Sequence, residues 1–149
     1  EAKTISEGTN LRYEVRTMAG AITEPDNSQT FALDMMSSHF LKKEDRAMLR
    51  DEVHRVLKPG GWLFMKTFLK DGDIHTKRLI AEKPGTEDGS YIHPVIGVQE
   101  FAYGEQELIE FLEEKFIVHK AYPSHKHVSK GKALKRRTIS IYVQKDPFV

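Results

Sequence analysis

The sequence predicts an α/β fold, and three observations carry that prediction. Phe31 to Phe68 reads as strand, amphipathic helix, tight turn and strand, the parts of one βαβ unit. A second helical pattern runs from Glu105 to Glu114. Two alternating β-rich runs, Phe116 to Tyr122 and Thr138 to Gln144, have no helix between them and so pair as an antiparallel hairpin.

Within the βαβ unit, Phe31 to Met36 is a short, mostly apolar run that suits a buried parallel strand. Met48, Leu49, Val53, Val56 and Leu57 then recur at spacings of three and four, so one helix face is directed at a sheet. Glu44 and Asp45 in the first turn, with Arg55 and Lys58 in the last, match the helix macrodipole. Pro59, Gly60 and Gly61 are expected to stop the helix, because proline lacks a donor and glycine accepts positive φ. The following run, Trp62 to Phe68, is the next strand, with Trp62 and Phe64 in its core.

Upstream, Glu1 to Ser6 is too short to assign beyond the tail of a helix. Leu11, Tyr13 and Val15 alternate with charged residues as in a half-exposed strand over Leu11 to Arg16, and Glu24 to Ser28 is a turn-rich loop. Downstream, Gly72 to Lys83 has weak helical spacing broken by Pro84 to Gly89. Tyr91 to Phe101, with Pro94 and Gly97 among apolar residues, reads as a long packed loop of the kind that contacts substrates. Gly104 is placed to cap the second helix, whose buried stripe is Leu108, Ile109, Phe111 and Leu112.

The 149 residues suit one domain spanning 1–149. No apolar run approaches the eighteen or so residues of a membrane span, and no secretory pattern opens the chain, so no membrane partner and a cytoplasmic location are expected. There is no cysteine, which excludes disulfides, thiolate nucleophiles and thiolate metal sites. Seven of the 23 Lys and Arg residues, and none of the 22 acidic ones, lie between His119 and Arg137. This is a cationic segment on an acidic body. The chain begins at Glu1 rather than Met, as expected of a fragment or processed product.

Taken together, these words resemble the C-terminal two-thirds of a class I S-adenosylmethionine-dependent methyltransferase. The resemblance rests on Pro25-Asp26-Asn27-Ser28 before a strand, on the strand end and helix entry from Asp34 to Leu41, and above all on Arg55-Val56-Leu57-Lys58-Pro59-Gly60-Gly61-Trp62-Leu63. It implies a Rossmann-like sheet of parallel strands flanked by helices and ending in an antiparallel hairpin, here lacking the first two strands. The family's glycine-rich first loop and the acid that ends its second strand have no counterpart in these residues. The expected cofactor is S-adenosylmethionine, with weak or no binding to this chain alone.

By the same resemblance, Met18 and Ala19 fall where the family meets the adenine, often with an acidic residue, and Asp34 and Met35 face the methionine portion. Gln29-Thr30 stands where many members have Phe-Asp. Asp34 reads equally as the partner of an ammonium and as a carboxylate bonded to nearby backbone N–H groups. Ser38 and His39 are the candidate catalytic residues, against a helix-entry packing or capping role. Methyl transfer from a sulfonium needs little beyond in-line positioning, so no catalytic triad is expected. Tyr91 and His93 are candidate substrate contacts. Lys135, Arg136 and Arg137 are candidate contacts to a polyanion such as nucleic acid. His125 and His127 share a strand face, but a metal site needs further ligands and none is indicated.

Two functions remain open at this point. One is methyl transfer to an unidentified acceptor by a truncated domain. The other is a non-catalytic interaction module that forms a homodimer over an exposed sheet edge, or binds a polyanion through residues 119–137.

Overall fold

The computed structural model describes Gly8, residues 10–130 and residues 132–149, with the side chains of residues 127, 128, 133 and 134 left aside. The expected helical tail at Glu1 to Ser6 lies outside the described residues. Eight strands are described: β1 Gln29–Met35, β2 Leu57–Phe68, β3 Ser90–Ile92, β4 Gln99–Phe101, β5 Ile117–Pro123, β6 His127–Ser129, β7 Lys132–Lys135 and β8 Thr138–Gln144. Between them lie helices α1 Lys43–Val56, α2 Ile74–Glu82 and α3 Glu105–Glu113, with a 3-10 turn at Ser38–Phe40. The main sheet has the order β1-β2-β8-β5. β1 and β2 are parallel, while β8 is antiparallel to both β2 and β5. The βαβ unit, both helices and the terminal hairpin therefore form where the sequence predicts them.

The glycine word acts differently from its expected role. α1 ends at Val56, where the Leu57 N–H reaches the Val53 carbonyl, and Leu57 already belongs to β2. Lys58, Pro59, Gly60 and Gly61 instead form an irregularity in the β1–β2 ladder: Gln29 faces Leu57, and two residues later Phe31 faces Trp62. Gly60 has φ +78°, and a Cβ at Gly61 would lie 2.9 Å from the Lys58 carbonyl oxygen, so both positions require glycine.

The core lies on one face of the sheet only. Leu57, Leu63, Met65, Ile139, Ile141 and Val143 pack with Leu108, Leu112 and Phe116 from α3 and its exit. Because side chains alternate along a strand, the neighbours of these residues point the other way. Trp62 is 36% exposed and Phe64 half-buried, so neither is in the core as expected. β1 is likewise not a buried strand: Phe31, Leu33 and Met35 are 54%, 60% and 47% exposed. The alternate positions Ala32 and Asp34 are half-buried, Ala32 against the core. Among the described residues no element covers the other face, and no strand pairs with the free edge of β1.

The expected strand at Leu11 to Arg16 is absent. That stretch is exposed and irregular, for it has no backbone partner among the described residues. Its arginines bond side chains instead, Arg12 to Glu24 and Arg16 to Thr23. On α1, Met48 is exposed and Arg46 and Arg50 are buried. Each arginine lays its guanidinium on an aromatic ring, Arg46 at 3.8 Å from the Phe101 centroid and Arg50 at 4.7 Å from that of Phe111. Arg46 also donates to both oxygens of Glu87, at 3.0 and 2.7 Å. Long stems thus do the packing that the sequence assigned to methionine. No helix among the described residues is long and apolar enough to cross a membrane.

Candidate active site

β1 and β2 are parallel, so their carboxyl ends, Met35 and Phe68, lie at one end of the sheet. Phe68 pairs with Thr138 and Pro123 with Ile139, which brings residues 124–137 to the same end. In open α/β sheets this is the end at which ligands sit. Four chain segments therefore meet there: residues 36–40 after β1, residues 69–73 after β2, the β3–β4 hairpin, and the basic segment.

The exit from β1 is sharply defined. Met36 makes the last ladder bond, its N–H to the Lys66 carbonyl at 2.9 Å, and adopts φ +60°, a left-handed conformation uncommon for a side chain of its size. The chain then enters the Ser38–Phe40 turn. Asp34 Oδ1 accepts the backbone N–H groups of Ser37 and Ser38, both at 3.3 Å, and the Ser37 hydroxyl. Of the two readings of Asp34, this geometry matches the bond to nearby backbone. Met35 lies on the opposite, exposed face. Met18 is exposed and Ala19 half-buried in the irregular segment upstream, where Met18 lines a surface groove with Arg16, Ile22 and Leu49.

His39 is 3% exposed, packed against the rings of Phe40 and Phe68 with centroids 4.1 and 4.9 Å away. Its Nε2 lies 3.6 Å from Glu100 Oε1. The other oxygen of Glu100 accepts the Tyr91 hydroxyl and Arg136 Nη1, the latter at 3.2 Å. The Arg136 Cζ lies over Phe68, 3.4 Å from the centroid, and its Nη2 donates to Thr76 Oγ1 at 3.2 Å. Thr76 in turn donates to Asp73 Oδ2 at 2.7 Å. Three residues singled out separately, His39, Tyr91 and Arg136, thus converge on Glu100, which the sequence reading missed. The available signal was a lone carboxylate between the apolar residues of Val98 to Tyr103.

The electrostatics of this cluster follow from its burial. Burial raises the pKa of Glu100, but hydrogen bonds from His39 and Tyr91 and the charge of Arg136 outweigh it and hold the carboxyl at about 2. Burial, with the bond to Glu100, pushes the Tyr91 phenol up. Burial pushes the Tyr103 phenol up as well. Glu100 is therefore a fixed anion and Tyr91 a fixed donor at neutral pH. Ser38 Oγ and His39 Nδ1 are buried with no partner among the described residues.

The remaining candidates do not join this cluster. His93 folds back on its own turn, its Nδ1 accepting the N–H groups of Val95 and Ile96 at 3.2 and 3.3 Å. Arg137 is spent on the carbonyls of Ser124 and Asp71. Lys135 is exposed. Among the described residues no cluster suited to a metal ion is found.

A family model described as a methyltransferase domain matches residues 2–65. No curated protein matches the chain. Among solved structures, an S-adenosylmethionine-dependent methyltransferase from Methanosarcina mazei superposes with a TM-score of 0.77 at 21% identity, over 97% of this chain and 76% of that one. The chain has the class I methyltransferase fold. A Burkholderia thailandensis 1,6-didemethyltoxoflavin-N1-methyltransferase, solved with bound 1,6-didemethyltoxoflavin and S-adenosylhomocysteine, matches this methyltransferase fold with a TM-score of 0.69 at 15% identity, over 97% and 56% of the two chains. An S-adenosylmethionine-dependent methyltransferase from Mesorhizobium loti gives 0.66 at 15%, over 97% and 74%. The methyltransferase-fold chain thus spans about half to three-quarters of the length of these structures.

Proposed function

We propose that the chain is the C-terminal part of an S-adenosylmethionine-dependent methyltransferase acting on an acceptor held at the carboxyl end of the sheet. The observation that carries this reading is the strand order β1-β2-β8-β5, with β8 inserted antiparallel beside a parallel pair. S-adenosylmethionine would supply the activated methyl group. The residues present fit one side of such a cofactor: the turn at Met36 to His39 forms a lip, and two buried polar atoms there, Ser38 Oγ and His39 Nδ1, lack partners among the described residues. Glu100 Oε1 lies 3.6 Å from His39 Nε2 and so faces that side of the ring, while Nδ1 is the ring nitrogen without a partner among the described residues.

The fit is one-sided. The Asp34 oxygen that takes three local donors is committed to its own turn, and no glycine-rich loop is present in these residues. The expected result is therefore a weak interaction: calorimetric titration of this chain with S-adenosylhomocysteine should give a Kd no tighter than about 0.1 mM, about −5.5 kcal/mol. A micromolar Kd would overturn the one-sided cradle.

A second reading, association of two copies through the uncovered sheet, is supported by the exposure of Phe31, Leu33, Met35, Trp62 and Tyr142 on one face and edge. Sedimentation should then find twice the mass of one chain, and Leu33→Lys should return the single-chain mass. A monodisperse single chain at the highest concentration reachable removes this reading.

A further inference from the structure

From Phe116 to Gln144 the chain has no acidic residue and seven basic ones. The structure divides these seven into two groups. Arg136 and Arg137 are structural: the first is held by Glu100, Thr76 and Phe68, the second by Ser124 and Asp71. Together with the Leu69 N–H bonded to the Arg137 carbonyl at 3.1 Å, they staple the base of the β6–β7 hairpin to the loop after β2. Lys126, Lys130, Lys132 and Lys135 are all exposed, and none forms an ion pair among the described residues. Lys120, exposed on β5, adds a fifth charge below them.

Two acids at this end are engaged by other groups, and neither forms an ion pair with these lysines among the described residues. Asp73 is buried, accepting from Thr76, His75 and Arg137, and Asp71 caps the first N–H of α3 at 2.7 Å. The stem of Lys126 crosses Gly72 so closely that a Cβ there would lie 2.6 Å from its Cε. That contact brings one lysine to the mouth of the carboxyl end, while the other three continue along the hairpin. Two exposed aromatic rings flank this end, Phe40 at 43% and Tyr122 at 51%. A row of compact cations beside aromatic faces suits phosphates strung along a flexible chain with bases to stack, whereas an acidic peptide would use the charges and leave the rings idle.

We propose that the β6–β7 hairpin is a docking surface for single-stranded nucleic acid, and that it feeds this strand to the carboxyl end of the sheet as the methyl acceptor. The second half of the statement rests on the methyltransferase reading; the first does not.

The test is fluorescence anisotropy of a labelled oligouridylate of about twelve nucleotides with the full chain, without cofactor. Four lysine–phosphate contacts predict a slope of log K against log salt of about −3, about −0.7 for each phosphate. Replacing Lys126, Lys130, Lys132 and Lys135 by Gln should weaken binding at least about tenfold and flatten the slope, with an unchanged melting curve because all four are exposed. Tyr122→Ala should weaken binding about fivefold or more at an unchanged slope. No binding at about 50 mM salt overturns the surface, as does a four-lysine variant that binds like the parent. Equal competition by poly-glutamate of matched charge assigns it to acidic polypeptides instead and also overturns it. Oligonucleotide binding that shifts the amide resonances of the β6–β7 hairpin but leaves those of Met36 to Phe40 unchanged would overturn only the second half, delivery of the strand to the carboxyl end.

Discussion

Glu100→Ala should unfold the chain at a temperature roughly 10 °C lower than the parent, a loss of about 3–5 kcal/mol. Glu100 is 4% exposed, accepts from Tyr91 and Arg136, and lies 3.6 Å from His39 Nε2. Its removal strands the Arg136 charge against Phe68 and leaves the Tyr91 hydroxyl, on a fully buried residue, without an acceptor. Glu100→Gln keeps the shape and one acceptor oxygen, so its loss should be smaller.

The pH dependence supplies an independent reading. The carboxyl of Glu100 is held at about 2 in the folded chain, below the ordinary 4.5. A depressed acid binds fewer protons folded than unfolded, so its contribution is complete above about pH 5 and is lost as pH falls toward 2. The parent should therefore lose up to about 3 kcal/mol over that interval relative to Glu100→Gln. Glu52 is also held at about 2, chiefly by its hydrogen bond from Arg55, and titrates in both proteins. Only the difference between the two urea curves isolates Glu100. Parallel curves from pH 5 to pH 2 would refute the account of the cluster.

Lys145→Met is the second large effect, about 2–4 kcal/mol of destabilisation by urea denaturation. Lys145 is 8% exposed, and its ammonium donates to Asn27 Oδ1 and the His54 carbonyl, both at 2.8 Å, and to the Leu57 carbonyl at 2.9 Å. Two of these acceptors are carbonyls at the carboxyl end of α1, where backbone acceptors lack helical partners and the dipole is negative. The third holds the left-handed Asn27 of the turn before β1. One ammonium thus ties together the turn, the helix end and β8. The loss should be absent in Lys58→Met, since Lys58 is exposed. A Lys145→Met change within about 0.5 kcal/mol of the parent would refute this role.

The contrast between these two lysines bears on what could be read from the sequence. Lys58 sits where helix periodicity and dipole rules place a cap, yet it lies in the bulge of β2. The actual cap comes from a residue 88 positions beyond Leu57, at the end of the last strand. Nothing local marks it. The same holds for Glu100: His39, Tyr91 and Arg136 each attract attention as residue types, but their convergence depends on which loops leave the same end of the sheet. Conversely, Met48 satisfies the helical spacing and is exposed, because arginine stems with carboxylate partners fill the helix face instead.

The sequence by itself determined the elements whose signals are local. Period 3.6 marks α1 and α3, period 2 marks β2, β5 and β8, and the absence of a helix between the last two long strands dictates their antiparallel pairing. The words around Lys58 to Gly61 likewise disclosed the fold, since two glycines are required there by backbone geometry alone. The tertiary structure decided the rest: which face of the sheet is covered, why β1 is exposed, where the buried carboxylate sits, and which cations are anchors and which are exposed. Each of these depends on partners distant in sequence, and neither periodicity nor residue type records them.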